Sequence, residues 1–86
     1  MANKRMPKRV VLPFGYIVTV MMCSPGSEEL FTDVGPVDGL WDSITRKIFI
    51  NKALSARRRR RILLHELAHA LNDCEHQLMD DGIIGD

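Results

Sequence analysis

The chemically informative residues are the run His65-Glu66-Leu67-Ala68-His69. On a helix advancing about 100° per residue, His69 stands about 40° round from His65 and one turn further along. Both imidazoles therefore look out over one patch of the helix surface and can bind a single Zn²⁺, each nitrogen at about 2.0–2.1 Å. Glu66 is rotated about 100° from His65 and about 60° from His69, beside such an ion and not on it. From there its carboxylate can take a proton from a water. Two ligands and a general base in five residues, H-E-x-x-H, are the minimal kit for metal-assisted hydrolysis.

That chemistry needs a helix, and the flanking residues supply one. Ser55 is a good N-cap, and the sequence predicts a helix over 55–74. Leu63, Leu64, Leu67, Ala68, Ala70 and Leu71 make its second half apolar except along the His/Glu stripe. Such a stripe is costly to bury unless something satisfies it, and a metal ion would. Upstream, Arg9–Cys23 is rich in β-formers and predicts a strand over 15–23, bounded by Pro13 and Gly15 on one side and Ser24-Pro25-Gly26 on the other. A long loop follows, with a short helical turn expected within 27–31. Leu40-Trp41-Asp42 and Lys47-Ile48-Phe49-Ile50 then read as a hairpin over 39–51. The expected architecture is α+β, a small antiparallel sheet packed on one long helix that carries the motif.

Composition narrows the function classes. An apolar fraction of 45% with a net charge of +1 excludes compositional disorder, and 86 residues suffice for one small domain over 1–86, with 1–8 as a basic tail. The longest apolar stretch, Val10–Cys23, is broken by Pro13 and Gly15 and is too short to span a bilayer, so no membrane association is expected. Lys4, Arg5, Lys8 and Arg9 before that stretch imitate a signal peptide, but no small-x-small site follows, and the segment reads as part of the fold. Cys23 and Cys74 are expected as reduced thiols in a cytoplasmic protein. The charge is uneven. Residues 1–61 carry all 12 basic side chains and five acids, whereas residues 62–86 carry six acids, all three histidines and no Lys or Arg.

Gly39-Leu40-Trp41-Asp42, then Arg46-Lys47-Ile48-Phe49-Ile50, then Arg60-Arg61-Ile62-Leu63-Leu64-His65-Glu66-Leu67-Ala68-His69-Ala70-Leu71 resemble small zincin-type metallopeptidases, above all ImmA/IrrE-like and phage-encoded ones. The resemblance covers residues 38–72, with a weaker echo in the first strand. It implies that His65 and His69 are zinc ligands, that Glu66 is the catalytic base, and that the activity is peptide-bond hydrolysis, of an endopeptidase rather than an exopeptidase. It also implies a peptide or protein substrate, with a regulator as the family-based choice. Zincins take a third ligand from beyond the motif. Here Glu75 and Asp73 stand level as candidates, with Asp80 behind them and Asp81 as a further option. His76 lies too far along the helix. Waters or a second chain are the alternative source.

Arg57, Arg58, Arg59, Arg60 and Arg61 form an arginine turn that opens the helix. They point all the way round it, which suits a solvated basic turn or a patch for a phosphate or acidic partner. Positive charge at this end also opposes the helix dipole. The rival to the peptidase reading follows from this turn: a non-catalytic, metal-stabilised module binding DNA or a regulator through Arg57–Arg61. Both readings place the metal on His65 and His69 and part company at Glu66.

Overall fold

A computed structural model describes residues 6–80. The β-forming run Arg9–Cys23 makes two strands rather than one. β1 (Arg9–Leu12) and β2 (Tyr16–Cys23) are antiparallel neighbours, with Val10 opposite Val18 and Leu12 opposite Tyr16. The reversal occurs at Pro13–Gly15, where Phe14 and Gly15 both take left-handed conformations, φ 60° and 76°. Proline presets the first step and glycine relieves the last, so the break read as a strand boundary is a tight turn within the sheet.

The chain then crosses back through a 3₁₀ turn at Glu28–Leu30 and a two-residue ladder of β3 (Phe31–Thr32) with β4 (Gly35–Pro36). β5 (Gly39–Asp42) and β6 (Lys47–Asn51) form the expected hairpin, pairing Leu40 with Phe49 and Trp41 with Ile48. Its turn is held by the Asp42 carboxylate, which accepts the Ile44 N–H at 2.9 Å. Bonds from the Thr45 hydroxyl and the Ile44 amide keep the Asp42 carboxyl below the usual carboxylate range.

β6 enters the sheet beside β2, and the strand order is β1-β2-β6-β5. β2 and β6 run parallel, so the sheet is mixed where the sequence suggested a wholly antiparallel one. A parallel neighbour needs a crossover of a dozen residues or more, and the stretch 24–46 provides it. Leu30, 1% exposed, is buried outside the main core, where the crossover turn meets β5 and β6.

α1 (Ala56–Asp80) starts where expected, with Ser55 Oγ accepting the Arg58 N–H at 3.2 Å. It runs about a turn and a half beyond residue 74, because no glycine or proline intervenes before Gly82. Leu63, Ala70, Cys74 and Leu78 form its buried stripe and pack on Tyr16, Val18 and Val20 of β2 and Ile48 and Ile50 of β6. Alternate residues Ile17 and Met21 point to the opposite, uncovered face. One helix on one face of a four-stranded sheet, with the small β3–β4 ladder in the crossover, makes up residues 6–80, and β5 is an edge strand beside α1.

Candidate active site

β5 runs alongside α1 in the same direction. Arg58 near the helix start donates to Asp38, just before β5, at 3.2 Å. Further along, Gly39 sits against Ile62 and Glu66. At the far end the Trp41 indole N–H donates to Asp73 Oδ2 at 2.6 Å. Gly39 is glycine for a packing reason: a Cβ there would collide with Ile62 Cγ2 and would lie 3.7 Å from Glu66 Cγ. The missing side chain lets helix and strand approach closely and brings Glu66 to the strand's backbone.

Ile62, Glu66 and Asp73, the residues facing β5, stand at about 60°, 100° and 80° on the helix wheel relative to His65. His65 and His69, at about 0° and 40°, are the next residues round, on the solvent side of that contact. Both are exposed. Their rings lie 5.0 Å apart between centroids at an interplanar angle of 83°. Two imidazoles on one tetrahedral metal have centroids about 5 Å apart, so the spacing of the pair is compatible with two ligands of one ion. The polar stripe is therefore an open face and not a buried one. The neighbouring leucines do not enclose it, since Leu64 and Leu71 are themselves 68% and 40% exposed.

The third donor expected from Asp73 or Glu75 is not brought to the pair. Because α1 continues straight, Asp73 is carried about 9 Å and Glu75 about 12 Å along the axis from the midpoint of the two histidines. Asp73 is engaged by Trp41, and Glu75 is exposed. His76 shares the histidine face but stands two turns beyond His69. Among the described residues, no three His, Cys, Asp or Glu side chains gather to hold a metal. Asp81 and the side chain of Asp80 lie outside the described residues.

Behind the site, Tyr16 is buried under Arg46, whose guanidinium carbon is 4.1 Å from the ring centroid. Burial pushes the Tyr16 phenol up, Arg46 pulls it partly back, and Asp73 pushes it further up. This places Tyr16 in the core and not at the histidines. Cys74 is fully buried, its thiol raised by burial, and contacts the Pro13 carbonyl at 3.9 Å. Cys23 is also a free thiol. Of the arginine turn, Arg57, Arg58, Arg60 and Arg61 are exposed, whereas Arg59 is half-buried and donates to the Lys52 carbonyl at 3.5 Å. The contacts that sequence reading missed are those of Trp41 with Asp73 and of Gly39 with Ile62 and Glu66, although the hairpin that carries them was expected. The G-x-x-D segment was the available signal, but its meaning depends on the helix that packs over it.

The family model for the IrrE N-terminal-like domain, Peptidase M78, matches residues 24–81, and the chain belongs to this family. The match takes in the crossover, the β5–β6 hairpin and α1, reaching further upstream than the motif resemblance and leaving β1 and β2 outside. No curated protein and no solved structure matches the chain. Among the described residues, no helix is long and apolar enough to cross a membrane.

Proposed function

We propose that the chain is a zinc-dependent endopeptidase that cuts a protein segment laid along the open edge of β5. The observation that carries this reading is the position of Glu66: its side chain packs against the backbone of an edge strand, and the exposed His65/His69 pair stands immediately beside it. Membership of a peptidase family supports it.

His65 and His69 would hold the metal, whose chemistry when bound is Lewis acidity toward a carbonyl and a water. The chain's own residues do the rest. The free N–H and C=O groups of β5 pair with an extended peptide by strand addition and fix its height above α1. Gly39, with no side chain toward α1, keeps that edge close to Glu66. Glu66 accepts a proton from the attacking water and returns it to the leaving amine, the two halves of general acid–base catalysis. Trp41, bonded to Asp73, ties β5 to α1 one turn beyond His69, so that strand and histidines move as one body.

Glu66→Gln tests this directly. The variant should retain its fold and its zinc while hydrolysis of a casein or random-peptide substrate falls by about 10²–10⁴-fold, the usual worth of a general base. Undiminished hydrolysis would remove Glu66 from the chemistry.

A further inference from the structure

The hydrolytic machinery leaves the arginine turn without a role. Arg57, Arg58 and Arg61 open together onto a basin of about 360 Å³ completed by Ser55. On the helix wheel these arginines stand at about −80°, 20° and −40° from His65, so basin and histidine pair share the solvent face of α1. Along the axis Arg61 precedes His65 by about 6 Å, and Arg57 precedes it by about 12 Å. Among the described residues the basin's one ion pair is Arg58 with Asp38, both side chains well exposed. Such concentrated like charge at the positive end of a helix dipole is unfavourable for folding. An anionic occupant would relieve it.

We propose that this basin is a specificity subsite that takes acidic side chains of the segment being cut, an inference that rests on the peptidase reading above. The Asp38–Arg58 contact puts the near wall of the basin at the start of β5, and Arg58, at about 20°, lies in line with His65 and His69, so a peptide that crosses the histidine pair toward that end of the strand passes beside the basin. From the midpoint of the two histidines Arg61 and Arg57 lie about 9 and 15 Å along the axis, and at about 3.4 Å per strand residue this corresponds to about three to four residues from the scissile bond. β5 runs in the direction of α1, so a peptide pairing antiparallel to it has its C-terminal side over the arginines. The preferred substrate therefore carries Asp or Glu three to four residues after the cut. A protein segment fits better than nucleic acid. The basin is only about one helical turn long, and the rest of α1 from residue 62, with Glu66, Asp73, Glu75 and Asp80 and no Lys or Arg, would repel a polyanion continuing along it.

The test uses the full chain with zinc and two peptide sets differing only in Glu or Gln at the third and fourth positions after the cut. Binding of a fluorescent tetra-glutamate peptide, its tetra-glutamine counterpart and a labelled DNA duplex is measured in parallel. Exposed charge pairs are each worth a few-fold, so the Glu set should be cut and bound about five- to tenfold better. That ratio should fall toward one in an Arg57→Ala/Arg61→Ala variant, whose exposed positions leave the fold intact by circular dichroism. Cleavage of both sets with no Glu preference, or with a preference unchanged in the variant, overturns the subsite and leaves the peptidase standing. Cleavage of neither set overturns the peptidase reading and the subsite that rests on it. Arginine-dependent binding of the duplex, tighter than that of the tetra-glutamate peptide, overturns the acidic-peptide assignment in favour of nucleic acid.

Discussion

Replacing Gly39 by alanine isolates the contact that sets Glu66 beside the strand. Gly39 does not occupy the left-handed region, so its backbone accepts an L residue, and the substitution alone would stabilise by about 0.4–1 kcal/mol through the unfolded chain. Against this, the new methyl overlaps Ile62 Cγ2 and stands 3.6 Å from the Phe49 carbonyl oxygen. Ile62 is β-branched on a helix and has essentially one χ1 well, so the clash cannot be relieved by swinging that methyl aside. Strand and helix must part, at the overpacking cost of about 1–3 kcal/mol. The net loss of about 1–2 kcal/mol lowers Tm by about 5–15 °C for a domain of this size, read by circular dichroism. Ile62→Ala removes the offending methyl. The double variant should therefore be more stable than the two single losses predict, by about 1 kcal/mol or more. A Gly39→Ala chain that melts at or above the parent temperature, or strictly additive losses, would refute a close approach of β5 and α1 at this point.

Three further outcomes follow from the contacts behind the site. Trp41→Phe removes the donor to a half-buried Asp73 carboxylate and should cost about 1–3 kcal/mol in urea unfolding, with the loss shrinking when Asp73 is also replaced by Asn. Tyr16 is the sole tyrosine, and its phenol is raised above its ordinary value of 10.0 chiefly by burial, so its absorbance titration should have a midpoint above that value in the folded chain. Because the folded pKa exceeds the unfolded one, the associated stability is fully present below pH 10 and is lost as pH rises through the folded pKa; Tyr16→Phe should flatten that alkaline decline. Cys74, buried and raised by burial, should resist a thiol reagent at pH 8 until the chain is unfolded, while half-buried Cys23 reacts first.

Much of this arrangement was legible in residue order because local signals agreed with one another. Ser55 capped the helix it was expected to cap, the Leu40–Ile50 stretch made its hairpin, and the spacing of His65 and His69 put both rings on one patch. What was not legible depended on distant packing. The parallel pairing of β2 with β6 is set by where a long crossover returns, which no local pattern states. The Pro13-Phe14-Gly15 turn hid a second strand because both strands are β-branched and apolar. The histidine stripe was expected to be buried because its neighbours are leucines, but a single helix on one sheet face can bury only one side. The same straight helix carries Asp73 and Glu75 away from the histidines, a consequence of its continuing to Asp80. Asp73 instead found Trp41, a partner 32 positions away.

The central claim, that His65 and His69 form a metal site served by Glu66, is tested most directly by the zinc bound per chain in the parent, His65→Ala and Glu66→Gln proteins after dialysis against micromolar zinc. One equivalent is expected in the parent, with loss in His65→Ala and retention in Glu66→Gln. A parent chain that holds no zinc, or a His65→Ala chain that holds as much as the parent, would contradict it.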